Sequence, residues 1–221
     1  MKNLPRNEYP RPQYKRKEWK NLNGVWNFCF DNDNIGEKEK WFNKSKLNKK
    51  INVPFSFESE ASNIGDTSYH PQVWYQREVY ISKDYSNKRV LLNFQAVDYI
   101  TKVWINGQFL GSHKGGYTSF FFDITDFVKF EAKNNVVVKA EDSLSCLQPR
   151  GKQGWKDENF GCWYTRTTGI WQTVWLEFVP DIRLSHVKMT PDLDNGSVRF
   201  EYNLSKYILD NDLEIKTNIS F

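Results

Sequence analysis

An all-β fold, a β-sandwich or jelly roll running into part of a second β domain, is what this sequence predicts. Three observations predict it. Apolar residues alternate with polar ones in short runs, and almost no 3.6-residue periodicity is present. Tight-turn residues separate the runs, and Asn106-Gly107 between apolar segments is the sharpest of these signals. From Val73 onward the runs follow one another closely, the spacing of a sandwich and not of a helical bundle.

Residues 1 to about 22 read as an extended arm broken by Pro5, Pro10 and Pro12. Residues 25–30 alternate and place Trp26, Phe28 and Phe30 on one face. Residues 31–50 are polar, with Trp41 and Phe42 as large anchors, and a short helix fits there. Residues 51–54 restart extended structure, and residues 55–71 form a long loop with a turn at Gly65-Asp66. Strands follow at 74–82, 89–96, 102–106, 108–113, 117–122 and 135–140. Residues 123–128 read as one helical turn with an Asp cap. A second long polar stretch covers 141–166, and a strand covers 171–179. Pro180-Asp181 marks a boundary, which divides the chain into an arm (1–22), a sandwich domain (23–180) and a further segment (181–221). Three more strands are expected at 182–189, 197–204 and 213–221, with turns at 190–196 and 209–212. About 40 residues cannot close an immunoglobulin-type sandwich, which takes ~100. The chain is therefore expected to be a fragment cut partway into a second β domain.

Composition excludes several classes. Aromatic residues are 16 % of the 221-residue chain, too many for general disorder. No run approaches the ~18–20 apolar residues of a membrane span. The first residues lead into charge and not into an apolar run, so no secretory signal is read. Cys29, Cys146 and Cys162 form no CxxC pair and are read as buried or idle thiols, which suits a cytoplasmic protein. The net charge is +4, and residues 1–50 hold 13 Lys and Arg against 6 Asp and Glu. No nucleic-acid motif accompanies that charge, so solvated surface lysines are the reading.

The chemical inventory holds no complete catalytic set. His70, His113 and His186 lack metal-ligand spacing, and His113 is expected at the surface in a strand-end turn. No GxSxG elbow is present. Neither a metal site, a cofactor nor a catalytic residue is expected within the chain. Asp66, Asp142, Asp157 and Glu158 lie in the long loops, where binding residues concentrate, but nothing in the sequence pairs two of them. Trp155, Trp163, Tyr164 and Trp171 crowd the second long loop and the strand after it. Flat aromatic faces of this kind stack on sugar rings in an open site. Packing in the core or on an interdomain face explains them as well.

Four spaced segments, in order over about residues 15–180, carry a family resemblance. They are Leu22-Asn23-Gly24-Val25-Trp26-Asn27-Phe28, then Val73-Trp74-Tyr75-Gln76-Arg77. The third runs from Val103-Trp104-Ile105-Asn106-Gly107 through Gly115-Gly116-Tyr117 to Phe122-Asp123-Ile124-Thr125. The fourth is Tyr164-Thr165-Arg166-Thr167-Thr168-Gly169-Ile170-Trp171-Gln172-Thr173-Val174-Trp175-Leu176-Glu177. Together they resemble the N-terminal domain of glycoside hydrolase family 2, which includes β-galactosidases, β-glucuronidases and β-mannosidases. The resemblance implies a galactose-binding-domain-like jelly roll followed by the start of an immunoglobulin-like domain. It implies a parent that is a retaining glycosidase whose two catalytic glutamates sit on a (β/α)₈ barrel of ~250 residues, so this chain is expected to be catalytically silent. Its implied partners are carbohydrate and the remaining domains of the parent, with a homo-oligomer left open.

The family's first domain lends residues to the rim of the active site. An acidic residue six positions before the motif glycine does so in several members, and here that position holds Trp163. Asp66, three before Tyr69-His70-Pro71, is the nearest match to a second polar rim position. The substrate-rim candidates are Asp66, His70, Trp163, Tyr164 and Arg166. Two other readings stand beside this one: a free-standing carbohydrate-binding module, and a structural β-sandwich for protein contacts.

Overall fold

The computed structural model describes residues 4–44, 47–145, 147–156, 158–207 and 213–219. The chain forms two compact units, Met1–Val179 and Pro180–Phe221. The first unit contains β1 (Trp19–Asn21), β2 (Gly24–Phe30), β3 (Lys49–Val53), β4 (Gln72–Ile81), β5 (Arg89–Phe94) and β6 (Val97–Asp98). It continues with β7 (Ile100–Ile105), β8 (Gln108–Lys114), β9 (Phe120–Asp123), β10 (Ala132–Glu141), β11 (Gly169–Ile170) and β12 (Val174–Val179). The second unit contains β13 (Leu184–Asp192) and β14 (Ser197–Leu204).

Two antiparallel sheets make the sandwich. One has the order β3-β2-β4-β10-β7-β8 and the other β1-β12-β5-β9. Alternation along each strand sends one set of side chains inward. Trp26 and Phe28 of β2, Tyr75 of β4, and Val136 and Val138 of β10 meet Leu92 and Phe94 of β5 and Leu176 and Phe178 of β12 in one cluster. The shared face expected for Trp26, Phe28 and Phe30 exists: the first two are fully buried and Phe30 packs against the same cluster. Burial of each large side chain contributes about 1.5–3 kcal/mol relative to exposure.

The outer face of the larger sheet is also covered. Trp74, Trp104, Val137, Cys29 and Leu47 form a second cluster, with Trp41 and Phe42 packed against it. Phe42 stacks on Trp104 at 5.2 Å with nearly parallel rings. Asp31 anchors the covering segment, accepting hydrogen bonds from the Trp74 indole (2.9 Å) and from the amides of Ile35 (2.9 Å) and Gly36 (3.0 Å). The short helix expected in 31–50 is a single 3₁₀ turn, Trp41–Asn43. Burial among these aromatics, with Asp31 close by, pushes the Cys29 thiol up to about 12, while Cys162 is exposed and Cys146 lies outside the described residues.

The outer face of the smaller sheet is covered by the N-terminal segment. Within it β1 pairs with β12 and Tyr9 is buried. Its anchor is Glu177 of β12, which is fully buried. One carboxylate oxygen, Oε1, accepts hydrogen bonds from the Tyr9 hydroxyl (2.6 Å), Arg11 Nη2 (2.6 Å) and the Trp175 indole (2.9 Å).

Smaller expectations sort by local chemistry. Asn106 and Gly107 have φ of 51° and 81° and join β7 to β8 as a two-residue hairpin. The helical turn expected at 123–128 is the 3₁₀ turn Thr125–Phe127, whose cap position is Ile124 and not an Asp, while Asp123 accepts the Thr125 amide at 3.1 Å from one residue earlier. His113 is not a surface turn residue; it lies in β8, half-buried and stacked on Phe120 at 4.1 Å. The strand expected at 117–122 begins only at Phe120, and that expected at 171–179 begins at Val174. In the second unit β13 and β14 form a hairpin closed at Asp192↔Ser197. Residues 213–219 are not the strand that their alternation suggests, because no strand among the described residues pairs with them. Residues 208–212, 220 and 221 lie outside the described set.

Burial opposes the charge of Glu177, but the bonds from Tyr9 and Trp175 and the charge of Arg11 outweigh it and hold its carboxyl below the usual range. Its contribution to stability is therefore present above the unfolded carboxylate value and lost as pH falls through the lowered folded one. Glu177→Gln is expected to lower stability by about 1–3 kcal/mol at neutral pH. Urea midpoints should show that gap shrinking at pH 3.

Candidate functional site

Two long loops, residues 55–71 and 142–168, rise from the sandwich side by side, and buried polar groups tie them together. Thr168 sits at the centre. Its amide donates to Glu58 Oε1 at 3.1 Å and its hydroxyl to Asp142 Oδ2 at 3.2 Å. Glu58 and Asp142 are almost wholly buried. The Tyr69 hydroxyl donates to the Asp142 carbonyl at 3.2 Å. The next residue, Gly169, has φ of +84°, and a Cβ there would lie 2.1 Å from the Tyr75 hydroxyl. Only glycine lets this backbone pass so close to β4.

Arg166 is the clamp between the loops. One guanidinium nitrogen donates to the Thr67 carbonyl at 2.8 Å and another to the Lys156 carbonyl at 2.9 Å. Asp66 and His70 flank that contact. His70 Nε2 lies 3.1 Å from Asp66 Oδ2 and 3.0 Å from Ser68 Oγ, and its ring stacks on Phe30 at 3.6 Å. Hydrogen bonds from Ser68, opposed by slight burial and helped by His70, hold the Asp66 carboxyl near 2. Three of the five rim candidates, Asp66, His70 and Arg166, thus share one region, where they brace the loops.

The other two candidates part ways. Trp163 is half-buried against Trp155, ring centres 5.0 Å apart, beside Phe160. Tyr164 is 62 % exposed and lines a separate cleft of about 400 Å³. Its neighbours there are Asp98, Tyr117, Gln153, Thr167 and Trp171. Two backbone hydrogen bonds fix Tyr164 beside Gln153: Gly154 N to Tyr164 O (2.7 Å) and Tyr164 N to Lys152 O (2.8 Å). The pairing of β6 with β11 sets Asp98 directly opposite Gly169. The Gln153 side-chain amide spans the cleft floor, donating to Asp98 Oδ2 at 2.6 Å and accepting the Thr167 amide at 2.8 Å. Trp171 Nε1 donates to the Gly116 carbonyl at 2.8 Å, and Tyr117 stands edge-on to its ring at 6.1 Å.

Asp98, Tyr117 and Gln153 were not reached by sequence reasoning. A signal for Asp98 does exist: it is the single acid between Phe94 and Val103, set in the short run Ala96-Val97-Asp98-Tyr99-Ile100. Tyr117 stands in the third resemblance segment without being singled out there, and Gln153 carries no such signal. Of the loop acids, Asp142 is buried, Glu158 is exposed, and Asp157 lies outside the described residues. Among the described residues no group of three or more His, Cys, Asp or Glu is placed to hold a metal, and no helix is long and apolar enough to cross a membrane.

The family model for the sugar binding domain of glycosyl hydrolases family 2 matches residues 19–180. This chain belongs to that family. A β-galactosidase of Thermoanaerobacter pseudethanolicus is 28 % identical over 178 residues, 80 % of this chain and 21 % of that protein. A β-glucuronidase of Bacteroides fragilis is 32 % identical over 122 residues, 55 % of this chain and 16 % of that protein. Among solved structures, a β-glucuronidase from Ruminococcus gnavus in complex with uronic isofagomine superimposes with a TM-score of 0.71 at 23 % identity, covering 90 % of this chain and 35 % of that one. The likeness is one of fold. The family 2 chain spans about a fifth of the length of the curated relatives it matches.

Two predictions follow from the site. Arg166→Ala removes the clamp, so hydrogen exchange in residues 55–71 and 150–168 should speed up by at least tenfold while β4 and β10 stay protected. The second concerns pH. Burial raises Asp98 to about 7, opposed by the bond from Gln153 and helped by the charge of Asp142; burial also raises Glu58 to about 7. The stability these groups contribute is present below the unfolded value of about 4 and is lost as pH rises through about 7. Asp98→Asn should flatten this fall between pH 5 and pH 8, read from denaturation midpoints.

Proposed function

We propose that this chain is the noncatalytic N-terminal portion of a β-galactosidase-like or β-glucuronidase-like glycoside hydrolase, completing the substrate pocket and the subunit architecture of the parent. The observation that carries this reading is the family match over residues 19–180, joined to two loops that present acids and aromatics from one side of the sandwich. The names of the relatives support glycosidic bonds as the substrate of the parent. In this reading residues 23–180 are a galactose-binding-like jelly roll, and residues 181–221 begin an immunoglobulin-like domain. Their support is the pair of antiparallel sheets and the β13–β14 hairpin. The two catalytic carboxylates of a retaining mechanism, ~5–5.5 Å apart across the scissile bond, are assigned to a part of the parent outside these 221 residues. The unpaired thiols Cys29 and Cys162 support a reducing, cytoplasmic setting. A free-standing carbohydrate-binding module is the second reading, favoured by a cleft whose lining comes wholly from residues 98–171.

The test is hydrolysis of a panel of aryl β-glycosides by this chain and by the product of the uninterrupted reading frame. The long product should turn over a galactoside or a glucuronide, and the 221-residue chain should be silent. Turnover by the short chain that survives further purification would overturn the assignment. Silence of both would favour the binding module.

A further inference from the structure

We propose that the cleft over Asp98 is a pyranose subsite, in which a sugar ring lies on the faces of Tyr164 and Trp171 and hydroxyls are read by Asp98. This rests on the carbohydrate reading above and adds a place and a set of residues to it. The site is distinct from the braced region of Asp66, His70 and Arg166, because Arg166 donates to Thr67 and Lys156 while Tyr164, Thr165 and Thr167 line the cleft.

Four features of the cleft converge on this ligand class. Its volume, about 400 Å³, falls within the ~300–1,000 Å³ of small-molecule sites. Its walls are aromatic, and their polar ends are already engaged: the Trp171 indole donates to Gly116 and the Tyr117 hydroxyl to Arg150. What Trp171 offers to a ligand is ring carbon, the surface that packs on sugar C–H groups. Its floor holds a carboxylate, Asp98, that is 2 % exposed and hydrogen-bonded through Oδ2 to Gln153. Gln153 holds this carboxyl in one orientation, and a hydroxyl of a ring entering the cleft can donate to it.

The scaffold supports the assignment from beneath. Gly116 packs so closely on Asp98 that a Cβ there would meet the carboxyl carbon at 2.7 Å. The carboxyl is therefore confined from one side by backbone and from the other by Gln153. Tyr164, by contrast, is held among the described residues through its backbone, and its exposed ring can settle on a ligand. Aromatic walls with an acidic floor also suit an organic cation, and the experiment separates the two.

The experiment is a titration of the 221-residue chain, its tryptophans labelled with fluorine, followed by NMR. The probes are methyl β-galactopyranoside, methyl β-glucuronide, p-cresol as an apolar ring without a sugar, and tetramethylammonium as a cation. One of the two glycosides should shift the Trp171 resonance with millimolar affinity, and p-cresol and tetramethylammonium should not match it. Tyr164→Ala, a change at an exposed position, should weaken that binding at least tenfold. Asp98→Asn should weaken it at least fivefold while leaving the spectrum of the free protein intact. No shift at 100 mM glycoside, equal shifts with p-cresol, stronger shifts with tetramethylammonium, or unchanged affinity in Tyr164→Ala would each overturn the subsite. These results stand apart from turnover by the parent, since a silent long product leaves the titration unaffected and a failed titration leaves the aryl glycoside result unaffected.

Discussion

Thr168 and the two buried carboxylates that it bonds hold up everything above the sandwich. A loop as long as 142–168, with almost no strand of its own, is uncommon in a packed domain and needs a reason to keep its shape. The reason here is polar satisfaction. Glu58 and Asp142 are buried, so each would cost several kcal/mol if left unpaired. They instead accept the amide and the hydroxyl of one residue, and Arg166 two positions earlier ties the same strand of chain to the neighbouring loop. Gly169 then carries the chain past Tyr75 and into the ladder with β6. The motif that reads as a family signature is thus a structural brace, and its residues are fixed by close approach and by hydrogen bonds to buried carboxyl groups.

The sandwich is a stage that is covered on both outer faces. Trp74 and Trp104 lie under residues 31–44 on one side, and Glu177 lies under Tyr9 and Arg11 on the other. Strand alternation normally leaves one face to water. Here apolar and charged groups on both faces of β4 and β12 are buried, so the covering segments belong to the same folding unit as the sheets. At the loop end the aromatic side chains of Tyr164, Tyr117 and Trp155 remain exposed.

Family 2 membership and this arrangement fit one another. Under the proposed reading, in which the domain lends groups to a site elsewhere in an enzyme, loops held rigid beforehand favour binding, since groups ordered only on binding reduce affinity. The clamp at Arg166 supplies that rigidity. The cleft over Asp98 is built differently, with an oriented acid on the floor and an exposed ring at the mouth.

The sequence by itself determined the all-β class, the hairpin at Asn106-Gly107, the inward face of β2 and the two loops that carry polar and aromatic residues. Each of these is a local property, set by period-two alternation or by the φ that a turn demands. It also singled out Asp66, His70, Trp163, Tyr164 and Arg166. It did not reveal that Trp163 packs against Trp155, or that Tyr164 shares a cleft with Asp98. Those facts depend on β6 pairing with β11, 71 positions apart between Asp98 and Gly169, and on which carboxylates lose their water. Burial and long-range register are properties of the assembled sheets, and no window of residues contains them. The same reason explains the miss at 213–219, where alternation was present and a partner strand among the described residues was not.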